Sequence, residues 1–122
     1  MDKILLKYPE NWGLEASRVE VIAKNVLKKF NFSFKVELSL VFVGRKRAKD
    51  LNIMYRKMDY VPQVLGFPNS RDKDPDGWVR LGDVVICTDK LKEEMKLVSN
   101  RNRLVDDVLG EWIEHGVNNL LK

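Results

Sequence analysis

The spacing of the apolar residues changes between residues 30 and 36, and few folds accommodate that change. Val19, Ile22, Ala23, Val26, Leu27 and Phe30 recur at the i, i+3, i+4, i+7 positions of an amphipathic helix, with Lys24, Lys28 and Lys29 on the other side. From Val36 the period falls to two. Val36, Leu38, Leu40 and Phe42 alternate with Glu37, Ser39, Val41 and Val43, and this second set turns apolar as the strand runs inward, until Gly44 ends it. An amphipathic helix leading directly into such a strand predicts a helix packed on a sheet.

Further along, Ala48, Leu51, Met54, Tyr55 and Met58 mark one face of a helix expected from Arg45 to Met58, broken by Val61 and Pro62. Two more strands are expected, near Gln63 to Phe67 and at Val79 to Cys87. The segment NSRDKDPDG between them is rich in residues that favour turns. Thr88 or Asp89 is expected to cap a helix carrying Leu91, Met95 and Val98, and a last helix follows a break at Ser99 to Asn102. Strands interleaved with helices predict an α/β, α+β-like fold: a small mixed sheet with helices packed on it. The 122 residues, 44% hydrophobic and 33% charged, suffice for one buried core, so residues 1–122 are read as a single soluble domain.

No apolar stretch approaches the roughly 20 residues that cross a bilayer. The apolar part of MDKILLKYPE is also too short for the core of a signal peptide. A cytoplasmic protein without a membrane partner is expected. Cys87, the single cysteine, has no second thiol for a disulfide or a metal knuckle, and its place in an apolar run points to packing. Lysine and arginine outnumber the acids 22 to 18, a net charge of +4, which suits a polyanionic partner without requiring one. Arg45, Lys46 and Arg47, with Lys49, form one cationic cluster at a helix start, and Arg71, Lys73 and Arg80 flank the turn-rich segment. The first cluster is a candidate RNA contact, although such a run also suits a solvated face.

The last helix bears on function. Leu104, Val108 and Trp112, with Val105, Leu109 and Leu120, define its buried arc. At about 100° per residue His115 and Asn119 are expected within that arc. Inward polar groups need partners, because leaving one buried and unpaired costs roughly 1–3 kcal/mol. A core histidine bonded to a backbone carbonyl meets that need, and so does a site. Spacing alone argues poorly for a metal, since asparagine is a feeble zinc ligand and one imidazole cannot hold zinc.

Three stretches in order carry a family resemblance: LNIMYRKMDYVPQVLGFP at residues 51–68, LGDVVIC at 81–87 and HGVNNLLK at 115–122. Together they resemble the YbeY family of bacterial rRNA maturation factors, which are zinc-dependent endoribonucleases. The resemblance implies a YbeY-like metal-hydrolase fold. It puts Arg56 in the place of the family's functional arginine beside the metal cleft, a catalytic and RNA-contacting role, and His115 in that of the first zinc ligand. An exposed helix-end arginine is the plainer account of Arg56. Asn119 stands at the second ligand position, Asn118 and Lys122 replace the family's leucine and glycine, and the third histidine would lie beyond the chain. Val61, Pro62, Gln63 and Gly66 replace its Pro, Thr, Asp and Ser.

In the full family site three imidazoles hold zinc and bring a bound water's pKa toward about 7. Zinc is thus expected for the family, but weakly bound or absent in this chain, which the motif expects to lack the family's C-terminal end. The implied function is metal-dependent cleavage of single-stranded rRNA in processing and ribosome quality control, with rRNA and the small ribosomal subunit as partners. The alternative is a degenerate or truncated member that binds RNA or the ribosome without cleaving. Asp83, after Gly82, is expected to form a turn and is not placed in the site.

Overall fold

Residues 35–43 form the expected strand, and it lies inside a sheet with a neighbour on each side. The computed structural model describes residues 2–9, 13–69, 75–98 and 105–122. Within these, the chain runs β1 (Asp2–Lys7), α1 (Ala16–Phe30), β2 (Lys35–Val43), α2 (Arg45–Arg56), β3 (Val64–Pro68), β4 (Trp78–Cys87), α3 (Thr88–Val98) and α4 (Val105–Leu120). The sheet order is β1-β2-β4-β3. β1, β2 and β4 are parallel, and β3 pairs antiparallel with β4. This is an α/β fold built on a small mixed sheet.

The changing composition of β2 follows from what covers it. Its even residues, Val36, Leu38, Leu40 and Phe42, are buried against Val19, Ala23, Val26 and Leu27 of α1 and Leu109, Ile113 and Val117 of α4. Its later odd residues, Val41 and Val43, pack with Val85 and Leu65 beneath Leu51 of α2. The strand is apolar on both faces only where α2 covers the second one. Lower on that face Glu37 is buried among charges, with Lys3 Nζ at 3.4 Å and Arg80 Nε at 3.0 Å across the neighbouring strands.

Strand β1 is an addition to the sequence reading. Ile4 and Leu6 pack on the core while Lys3, Leu5 and Lys7 face outward, so the strand alternates, but within only six residues at a sheet edge. The expected turn at Asp83 is corrected. Gly82 and Asp83 lie within β4, where the pairing of Glu37 with Arg80 and of Leu38 with Gly82 marks a bulge. Gly82 has φ 133°, and a Cβ there would fall 2.3 Å from the Phe67 carbonyl oxygen. Arg71, Lys73 and Leu104 lie outside the described residues.

The expected capping of α3 is also corrected. Thr88 is its first helical residue, and the Thr88 hydroxyl donates to the Val43 carbonyl at 3.2 Å. The Asp89 carboxylate caps a different helix, accepting the Arg45 backbone N–H at 2.8 Å where α2 begins. Cys87 is buried at the end of β4, in the packing role its apolar surroundings predict.

Candidate functional site

α2 stops at Arg56 and not at the expected Met58, because Lys57 takes a left-handed conformation with φ 59°. The Lys57 N–H donates to the Ile53 carbonyl at 3.1 Å and the Met58 N–H to the Asn52 carbonyl at 3.4 Å. The chain then turns across the top of the sheet. Asn52, fully buried, holds this turn: its Nδ2 donates to the Tyr60 carbonyl at 3.0 Å, and its Oδ1 has no hydrogen-bond partner among the described residues. At the far end of the turn Cys87 N–H donates to the Gln63 carbonyl at 3.0 Å, which starts β3 beside β4.

A cleft of about 410 Å³ opens between this turn and the helices around it. Arg56 enters from the end of α2, Tyr60 to Val64 from the turn, Lys90 from the first turn of α3 and His115 from α4. Because α2 follows β2 and α3 follows β4, the cleft sits at the carboxyl ends of parallel strands, where α/β sheets place their ligands. The side chains of Arg56, Tyr60, Gln63 and His115 make no hydrogen bond or ion pair among the described residues. Lys90 Nζ has only a long contact to Glu93 Oε2, 3.7 Å. The cleft therefore offers polar groups that no described residue engages.

A larger groove, about 660 Å³, lies between α1 and α4 and holds none of the expected site residues. Ion pairs already bridge its walls, Arg18 with Asp106 and Lys29 with Glu114 at 3.6 Å. Its volume marks a space between two helices whose facing charges are already partly paired.

Arg56 and His115, expected from separate stretches, are brought together. The inward placement of His115 is corrected: the side chain is exposed, and Asn119 is half-buried. Ile113, Gly116 and Val117 extend the buried arc on the side away from His115, so the helix turns Gly116 toward the sheet. A Cβ on Gly116 would lie 2.5 Å from Val84 Cγ1, so glycine lets α4 approach β4 closely enough for His115 to reach the cleft mouth. Asn119 packs one turn further on, where a Cβ on Gly66 would come 3.2 Å from its own Cβ.

The cationic cluster is not brought to the cleft. Arg45 pairs with Glu93 of α3, and Lys46 is exposed. Arg47 borders a separate apolar groove with Val41, Leu51, Tyr55 and Phe67. Eleven helical steps, about 16 Å at 1.5 Å each, separate Arg45 from Arg56. Asn52, Tyr60 and Lys90 were not singled out by the sequence. For Lys90 a signal existed, since it follows a parallel strand's carboxyl end within the first helical turn.

These residues do not fit a zinc site. His115 is the chain's only histidine, and Asn119 lies beside Gly66 outside the cleft lining. One imidazole and one carboxamide leave the metal too few donors.

Residues 10–121 match the family model for Endoribonuclease YbeY. The Endoribonuclease YbeY of Mycoplasma capricolum is 30% identical over 114 residues, 91% of this chain and 66% of that protein. The Bdellovibrio bacteriovorus protein of the same name is 31% identical over 115 residues, 94% of this chain and 69% of that one. The chain spans 66%, 59% and 56% of the first three curated relatives it matches. The solution structure of TM1509 from Thermotoga maritima aligns with all of this chain and 73% of its own, with a TM-score of 0.60 at 21% identity, a likeness of fold. With nearly its whole length matched by one family model, and relatives of one name matching across most of it, the chain belongs to the YbeY family.

Proposed function

We propose that the chain works in rRNA maturation as a YbeY-type factor that grips single-stranded rRNA, with the small ribosomal subunit as the partner that presents it. The observation that carries this reading is the meeting of Arg56 and His115 in one cleft, with side chains that pair with none of the described residues. A guanidinium suits phosphate because its planar fork donates two parallel hydrogen bonds. In a cleaving complex the same group would offset charge developing on the phosphate. Relatives named Endoribonuclease YbeY support an RNA substrate.

Hydrolysis by this chain alone is not part of the proposal, because its donors do not make the zinc tripod that would supply hydroxide. The favoured form is a member that binds RNA and holds zinc weakly or not at all. Its proposed place of work is the cytoplasm, and no helix among the described residues is long and apolar enough to cross a membrane.

The test is binding and cleavage of a single-stranded rRNA fragment by the full chain, with zinc and with a chelator. Binding should persist under chelation without cleavage. Failure to bind the fragment in either condition would defeat the RNA reading. Cleavage that zinc supports and the chelator stops would defeat its non-catalytic form.

A further inference from the structure

The cleft has a charge pattern that zinc chemistry does not account for. Among the described residues its lining carries two cationic side chains, Arg56 and Lys90, one imidazole and no carboxylate. A divalent cation there would meet like charge with no anion to offset it, whereas an anion would meet two donors. Lys90 is not firmly committed elsewhere, since Glu93 is also held by Arg45 and lies 3.7 Å from the Lys90 ammonium.

The same cleft is lined by an aromatic residue, Tyr60. Tyr60 is 48% exposed, yet its backbone is fixed by the buried Asn52 amide at 3.0 Å. An exposed ring on an anchored turn is a stacking surface that costs little ordering when a base settles on it. Gln63, next along the same turn, adds a neutral carboxamide able both to donate to and to accept from a base edge.

We propose that this cleft binds single-stranded RNA without a metal, gripping a phosphate between Arg56 and Lys90 and stacking the adjoining base on Tyr60. The inference rests on the RNA reading above and adds Lys90 and Tyr60 to it. Cation and ring divide the work: the phosphate clamp gives salt-sensitive affinity without sequence preference, and the ring selects unpaired bases over duplex.

The experiment titrates a labelled short single-stranded oligoribonucleotide with the full chain in EDTA at several salt concentrations, following fluorescence anisotropy. Binding is expected to persist in EDTA. Lys90→Ala should reduce the log–log salt slope by about 0.7, the value of one phosphate contact on a single strand. Tyr60→Ala should weaken binding about tenfold while Tyr60→Phe keeps the parent affinity, since stacking needs the ring and not the hydroxyl. Gln63→Glu, which adds the missing carboxylate, should weaken binding at least as much as Lys90→Ala.

An unchanged slope in Lys90→Ala, parent affinity in Tyr60→Ala, or binding that requires added zinc would each overturn the inference and leave the RNA reading standing. No binding with EDTA or zinc would remove both. Circular dichroism checks each fold, and Lys90→Gln replaces Lys90→Ala if the alanine variant unfolds.

Discussion

At the N-terminal end of α2, Arg45 is tied to Asp89 and Glu93, and Lys49 reaches Asp59 at 3.4 Å, so half of a conspicuous cationic run is engaged with the protein's own carboxylates. At the C-terminal end Arg56 stands without an ion pair among the described residues, in a cleft with no acid in its lining. One helix thus carries a half-paired cationic cluster and a candidate site about 16 Å apart. Density of charge marks the first, and absence of neighbouring countercharge marks the second. A sequence displays density directly, but countercharge depends on folding.

The contrast can be broken most forcefully through α4, which carries His115 to the cleft. Gly116→Ala would gain about 1 kcal/mol of helix propensity. It would also press a Cβ to 2.5 Å from Val84, which is itself fully buried. Overpacking of about 1–3 kcal/mol should win, and RNA affinity should fall as α4 lifts. Urea denaturation reads the first effect, and a midpoint equal to or above the parent's would mean that the helix has slack and the cleft is not held by it.

Asn52→Ala tests whether the Tyr60 turn is held from within. The loss of a buried hydrogen bond costs about 1 kcal/mol, partly offset because the Oδ1, without a hydrogen-bond partner among the described residues, leaves as well. RNA affinity should drop by more than this stability change alone would produce, since the loosened turn carries both Tyr60 and Gln63. Equal stability and equal affinity would remove Asn52 from the account.

The sharper comparison is between the two ends of α2. Arg56→Lys keeps the charge but loses the fork, and about fivefold weaker RNA binding is expected, roughly 1 kcal/mol. Replacing Arg45, Lys46 and Arg47 together by alanine should lower the salt slope by no more than about 1.4, two contacts at 0.7 each, because Arg45 already has its partner. A drop near 2.1 would show that RNA displaces Glu93. Lys49→Ala, which opens an exposed pair, should change stability by less than about 0.5 kcal/mol in thermal melts.

Much of the fold was legible because the patterns were local. The 3.6-residue period of α1 and the alternation of β2 each lie within a few residues. β1 escaped because a six-residue edge strand has too few periods to stand out. His115 was misplaced for a related reason. The arc read from Leu104, Val108 and Trp112 omitted Gly116, which has no side chain to register as apolar yet faces Val84 directly. Arg56 and His115 were found through family motifs. Lys90 and Tyr60 were not, because their meeting depends on α3 and the turn after α2 converging from opposite sides of β3 in the chain.

The cap on α2 has a consequence for how this molecule assembles. The helix begins with Arg-Lys-Arg, charges that oppose its dipole, and Gly44 offers no side chain to cap it. The missing acceptor comes from Asp89, 44 residues later. A helix of 12 residues with an unfavourable start is marginal by itself. It should therefore gain its structure only after β4 has joined β2 and brought α3 alongside, making α2 a late arrival in folding. Its amide protons should exchange in step with those of α3, as one cooperative unit, and Asp89→Ala should speed exchange through α2 while leaving α1 unaffected.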